Sequence, residues 1–149
     1  MIDDFREEHF SQVKEIIHEN FENPWSDSNI IFKTANSIKK VAVLQNSVVI
    51  GFVDGHIVYD EADLLILVVR KSQQKRGIGK RLLVEFLNEA KRRNVKKVFL
   101  EVSEKNIPAI SLYKKFGFKP YGKRDNYYGI GKNAILMRLI LNGTDFDAD

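Results

Sequence analysis

Leu64-Leu65-Ile66-Leu67-Val68-Val69, and then, past Arg70-Lys71-Ser72-Gln73, Gln74-Lys75-Arg76-Gly77-Ile78-Gly79, is the stretch whose reading decides the fold. The apolar run is bounded by charges, too short for a buried helix and rich in branched side chains, so it reads as a central strand covered on both faces. Gly77 and Gly79 let the chain turn tightly out of it. Ile78, Leu82, Leu83, Phe86, Leu87 and Ala90 then recur at helical spacing to about Arg93, and a strand over residues 95–102 completes a βαβ unit.

Upstream, Phe10, Val13, Ile16 and Ile17 repeat at helical spacing and predict an amphipathic helix over residues 6–20, which Asn23-Pro24-Trp25-Ser26 breaks. Ser26 and Asp27 can cap a short second helix to about Lys33. Residues 41–44 and 48–53 read as a β-hairpin around Gln45-Asn46-Ser47. Downstream, Asn106 can cap a helix whose early Pro108 costs no needed N–H bond. Ile110, Leu112, Tyr113 and Phe116 form its apolar side, and Gly117 suits its end. Strands near 118–121 and 134–141 finish one domain over residues 1–141, and the polar, acidic residues 142–149 are expected to form a disordered tail.

The chain has 149 residues, 44% of them hydrophobic, which suffices for a single core. It has no cysteine, which removes disulfides, thiolate catalysis and Cys-ligated zinc. His9, His18 and His56 lack metal-ligand spacing, so no metal is expected. Met1-Ile2-Asp3-Asp4 is acidic without a charged-then-apolar leader, and no apolar run approaches the roughly 20 residues of a membrane helix. A cytoplasmic protein with no membrane partner is expected. The formal charge of +4 arises from basic residues around 70–81 and 91–97; it fits an anionic ligand and is modest for duplex binding. Lys91-Arg92-Arg93 and Lys96-Lys97 fall at a helix end and the next turn, where the helix dipole favours them. No aromatic interleaving supports stacking on nucleic acid, so none is expected as a partner.

The backbone N–H groups of a Gly77/Gly79 turn, backed by the positive end of the following helix, can grip phosphate oxygens, with Gln74, Lys75, Arg76, Lys80 and Arg81 as further donors. Alone, such a turn is equally a plain strand-to-helix connection. The dinucleotide fingerprint needs a third glycine where Leu82 stands, and the P-loop pattern is absent. Glu101 alternates with Val98, Leu100 and Val102, so it lies with Phe99 on the other face of its strand, either as a solvated or salt-bridged residue or as a reactive carboxylate. Tyr113 falls on the apolar side of its helix, where a packed aromatic is the alternative to a reactive phenol.

Taken in order, Q-x-x-G-x-G after a strand ending Val68-Val69, Glu101-Val102 in the next strand, and N-x-x-A-x-x-L-Y-x-x-x-G-F at residues 106–118 resemble the GNAT acetyltransferases. Asn23-Pro24-Trp25-Ser26, Asn126-Tyr127-Tyr128 and Asn133-Ala134-x-x-Met137 resemble its protein N-terminal branch, the ribosomal-protein alanine acetyltransferases and their archaeal relatives; that branch usually has Asp-Ala where Asn133-Ala134 stands. The resemblance implies an α/β (α+β) fold, a mixed, mostly antiparallel, twisted sheet of about six to seven strands flanked by about four helices.

It also implies acetyl-coenzyme A as cosubstrate, held by Val68, Val69, Gln74, Lys75, Arg76, Gly77, Ile78, Gly79, Lys80, Asn106 and Tyr113. The arm of the coenzyme would pair like an extra strand beside Val68-Val69, with the Val69 amide on the thioester oxygen. Glu101 would be the general base and Tyr113 the general acid at the sulfur, a role suited to a phenol of pKa about 10. Pro24 and Trp25 on one side and Tyr127 and Tyr128 on the other would wall a peptide slot.

The expected activity is acetylation of the α-amino group of protein N-termini, ribosomal proteins among the candidates, by a monomer or weak homodimer. Acetylation of lysine side chains or of small amines such as polyamines would use the same coenzyme machinery. A non-catalytic module that binds coenzyme A or nucleic acid is the alternative of another class.

Overall fold

The structure is a computed structural model and describes residues 1–143, 146 and 147. Its strands are β1 (Ile2–Asp4), β2 (Ser37–Val43), β3 (Val49–Val58), β4 (Glu61–Val69), β5 (Lys97–Ser103), β6 (Lys119–Arg124) and β7 (Ala134–Ile140). Its helices are α1 (Phe10–Asn20), α2 (Asp27–Ile31), α3 (Ile78–Arg92) and α4 (Ile107–Lys115). The seven strands form one sheet in the order β1-β2-β3-β4-β5-β7-β6, in which only the β4–β5 pair is parallel. The fold is the mixed, mostly antiparallel α/β sheet with four helices that the sequence predicts.

Local chemistry sets the helix ends. The Ser26 hydroxyl accepts from Asn29 N (3.3 Å) to start α2, and Asn106 Oδ1 accepts from Ala109 N (3.3 Å) to start α4. Helix α3 is entered through Gly77 at φ +80°, a left-handed conformation that glycine adopts without steric cost. One face of the sheet packs α1 and α2 through Val13, Ile16, Ile17, Ile30 and Phe52. The other packs α3 and α4 through Leu82, Leu83, Phe86, Leu87, Val98 and Met137. Each such fully buried side chain contributes about 1.5–3 kcal/mol.

Strands β2 and β3 run further than their apolar runs predict, because polar residues continue them inside the fold. Lys39 and Asp54 face each other with side chains only 1% and 5% exposed; Nζ donates to Asp54 Oδ2 at 2.5 Å and to Ile30 O at 2.9 Å. The rings of Phe5, Trp25 and Phe52 surround the ammonium at 5.7, 5.9 and 5.5 Å. Burial raises the Asp54 carboxyl to about 6, against the opposing pull of Lys39.

The expectation of a β4 covered on both faces is corrected at its centre. The β3–β4 register steps from Asp54↔Ile66 to Gly55↔Leu64 and leaves Leu65 as a bulge, 47% exposed. The bulge reverses the sense of alternation: Leu64 packs with the α3 core, whereas Ile66 and Val68 pack with the α1 core. Pairing between β4 and β5 covers Glu61–Leu64 with Lys97–Leu100, and the two strands part beyond it.

Of the tail, Thr144, Asp145, Ala148 and Asp149 lie outside the described residues. Phe146 is held: its N–H donates to Asn88 Oδ1 (2.9 Å), its carbonyl accepts from Asn88 Nδ2 (3.1 Å), and its ring lies 6.0 Å from that of Phe116. Among the described residues no helix is long and apolar enough to cross a membrane, and no cluster of three or more His, Cys, Asp or Glu could hold a metal ion.

Candidate active site

The parting of β4 and β5 opens a cleft of about 1020 Å³. Its floor is Leu64–Leu67 on one strand and Phe99–Ser103 on the other; Asn106, Tyr113, Trp25, Tyr127 and Tyr128 rise around it. Pairing parity decides what β4 offers to this gap. Arg70 N donates to Ile50 O at 2.8 Å, and Gly51 stands opposite Val69, so the N–H and C=O of Val69 turn away from β3, as do those of Leu67. With β5 diverged, these amides face an open edge. The Val69 carbonyl is taken by Asn20 Nδ2 (3.2 Å) and Gln74 Nε2 (3.1 Å). Val68 is different: it pairs with Phe52 and buries its side chain on the α1 side, so neither its amide nor its side chain reaches the gap.

The glycine loop lies past the end of β4 and is not part of the cleft wall. Lys75 (φ +65°) and Gly77 (φ +80°) both adopt left-handed conformations and bend the chain into α3, whose first-turn N–H groups have no partner within the helix. A Cβ on Gly77 would meet nothing within 4 Å, and one on Gly79 would come to 3.7 Å from Val69 and 3.9 Å from Leu112, so the loop sits close to the strand and to α4. Lys75 and Arg76 are exposed, and Ile78 and Lys80 half-buried. Gln74 Nε2 also donates to Asn20 Oδ1 (3.1 Å), which couples the loop to the cleft rim.

Glu101 and Tyr113 line the same cleft. Glu101 rises from β5 with its side chain 32% exposed, and Arg124 Nη1 donates to its Oε1 at 2.9 Å. The salt-bridged alternative read from the sequence is thus realised, in a residue that also faces the cavity. Arg124 stacks its guanidinium 4.4 Å from the centroid of Tyr127, and Tyr127 meets Tyr128 edge to face at 4.8 Å. Glu101 beside the Tyr127 hydroxyl raises the pKa of that phenol. Burial, helped by Tyr127 and Glu101, pushes Tyr128 up to about 12. Tyr113 is 5% exposed and packs edge to face on Phe118 at 5.6 Å; burial pushes its phenol well above the ordinary tyrosine range and keeps it protonated.

Asn106 combines its capping role with a place in the cleft wall. Trp25 lines the cleft; Pro24, beside it in the segment between α1 and α2, is not among the lining residues. Three features were not legible in the sequence. Arg124 is 23 positions from Glu101, and no motif links the two. Asn20 bridges loop and strand. Lys132 Nζ meets Glu22 Oε2 at 2.6 Å and ties the loop before β7 to the loop after α1 across the cleft mouth.

The sequence profile of the Acetyltransferase (GNAT) family matches residues 3–118. The chain is 32% identical over 119 residues to the [ribosomal protein bS18]-alanine N-acetyltransferase of Escherichia coli K12, covering 78% of this chain and 80% of that one. It is 30% identical over 145 residues to the enzyme of the same name from Haemophilus ducreyi, covering 95% and 100%. The crystal structure of the ribosomal-protein-S18-alanine N-acetyltransferase from Escherichia coli superposes with a TM-score of 0.86 at 27% identity, over 99% of this chain and 98% of that one. Parted strands, glycine loop and sequence likeness agree, and the chain belongs to the GNAT family of acetyltransferases.

Proposed function

We propose that this enzyme transfers the acetyl group of acetyl-coenzyme A directly to the α-amino group of a protein N-terminus. The observation that carries this reading is the convergence of a carboxylate, Glu101, and a protonated phenol, Tyr113, on one cleft beside the free amide edge of β4. The likeness to enzymes named for the alanine of a ribosomal protein supports a protein N-terminus as acceptor, ribosomal proteins included.

In this reading the N–H groups of the α3 start, with Lys75, Arg76 and Lys80, bind the pyrophosphate. The outward amides of Leu67 and Val69 receive the arm of the coenzyme as a strand would. Glu101 takes a proton from the acceptor's α-ammonium, whose free pKa of about 8 makes the demand modest. The amine lone pair attacks the acetyl carbon, a C–N bond forms and the C–S bond breaks. A phenol held far above its ordinary pKa is a weak acid, so Tyr113 acts chiefly by hydrogen-bonding the departing sulfur. Trp25 faces Tyr127 and Tyr128 across the acceptor slot. A cytoplasmic location, and action as a monomer or weak homodimer, belong to the same proposal.

A coenzyme A release assay tests it, with free N-terminal peptides, α-blocked lysine peptides and polyamines as acceptors. Wild type should turn over free α-amines, and Glu101→Gln should lower kcat by about 10²–10⁴-fold. Turnover confined to lysine peptides or polyamines would overturn the assignment of the acceptor.

A further inference from the structure

Arg124 gives the cleft an electrostatic character that Glu101 alone would not have. Its guanidinium holds one oxygen of Glu101 at 2.9 Å and is fixed in place by stacking on Tyr127. Across the ladder, β7 presents Leu136 to Glu101, an apolar neighbour. The phenols that approach from α4 and from the loop before β7 are neutral, because burial raises Tyr113 and Tyr128 and the neighbouring Glu101 raises Tyr127. On the far wall, Asp63 of β4 lies 3.6 Å from His56, and at the mouth Glu22 is neutralised by Lys132. Lys105 also lines the cleft, and its charge acts on Glu22; the cation paired with the carboxylate at contact distance is that of Arg124, and the pair is neutral before an acceptor arrives.

Building on the acetyl-transfer reading, we infer that Arg124 is a positioning residue that fixes Glu101 and, by its charge, drives the proton off the bound α-ammonium. An acceptor entering as ammonium would be a second cation on one carboxylate. Like charges a few ångströms apart disfavour one another, and Arg124 cannot release a proton, so the ammonium does. The proton leaves by way of Glu101 to solvent, because a carboxylate held by Arg124 does not keep it; the freed lone pair forms the C–N bond, and the sulfur leaves with the C–S electrons and takes up the surplus proton of the nitrogen.

The test compares pH profiles of kcat and KM for wild type, Arg124→Met and Arg124→Lys on a peptide that wild type acetylates. In Arg124→Met the acid limb of kcat should move up by about one pH unit and kcat at pH 7 should fall about tenfold. KM should stay level or fall, because the ammonium no longer competes with a resident cation. Arg124→Lys should restore most of the limb. A uniform loss at every pH with raised KM, or no restoration by lysine, would leave Arg124 a merely structural residue and overturn the inference while the acetyl-transfer reading stands. Failure of wild type on every free α-amine would overturn both.

Discussion

Replacing Lys39 by methionine removes the cation from a buried pair while leaving a side chain that still fills the ring of Phe5, Trp25 and Phe52. Asp54, 5% exposed, then has no counter-charge. Breaking a buried pair from one side costs about 3–5 kcal/mol, which for a chain of this size lowers Tm by about 6–20 °C. The cost depends on pH in a definite sense. Asp54 titrates at about 6 in the folded protein against 3.8 unfolded, so the native state holds a proton that the unfolded state has released between those values. Wild-type stability therefore rises as pH falls through 6, by about 3 kcal/mol over the window. Without Lys39 the carboxyl climbs further. The deficit of Lys39→Met should accordingly be large at pH 7.5 and much smaller at pH 5, where Asp54 is largely protonated in both proteins. Urea titrations at the two pH values measure it, and Lys39→Met/Asp54→Leu, which removes both charges, should recover most of the loss. A deficit equal at both pH values, or a double variant no better than the single, would refute the reasoning.

Gly77→Glu should abolish coenzyme A binding measured by calorimetry, by at least about tenfold in Kd, because its carboxylate opposes the pyrophosphate at the α3 start. Its fold should persist at a cost of about 1–2 kcal/mol for the left-handed φ of +80°. Tyr113→Phe should lower kcat by about 10²-fold with little change in KM. Wild type should show no loss of rate from Tyr113 ionisation up to pH 10, since burial raises the phenol; an alkaline limb near 9 that disappears in Tyr113→Phe would contradict this. Gly55→Ala should cost about 1–3 kcal/mol in urea denaturation, because its Cβ would collide with the Asp63 carbonyl and the Phe86 ring beside the β4 bulge.

What the sequence made legible was local. Caps at Ser26 and Asn106, the left-handed glycine before α3 and the helical stripe through Leu82, Phe86 and Ala90 depend on near neighbours, and they stand where the pattern puts them. The strand ends at Ser37 and Val58 were hidden because the polar Lys39 and Asp54, buried only by virtue of each other, interrupt the apolar run. The bulge at Leu65 was hidden for a different reason. A run of six apolar residues carries no alternation, so nothing in it marks the position at which the faces exchange. Within the cleft, Glu101, Asn106 and Tyr113 were reachable through short motifs. Arg124 was not, because its relation to Glu101 exists only through the pairing of β5 with β7 and of β7 with β6.

The β4–β5 junction has a mechanical consequence. Four residue pairs, ending at Leu64 and Leu100, act as the fulcrum of two diverging arms. From the fulcrum at Leu64 to Val69 the β4 arm, paired on its β3 side alone, is about 16 Å long, so a tilt of about 4° displaces the Val69 amide by about 1 Å. Misplacement on that scale can cost about 10²-fold in rate. Core side chains near the fulcrum, Ala62 and Val98 among them, therefore hold leverage over the reaction without touching any reacting atom.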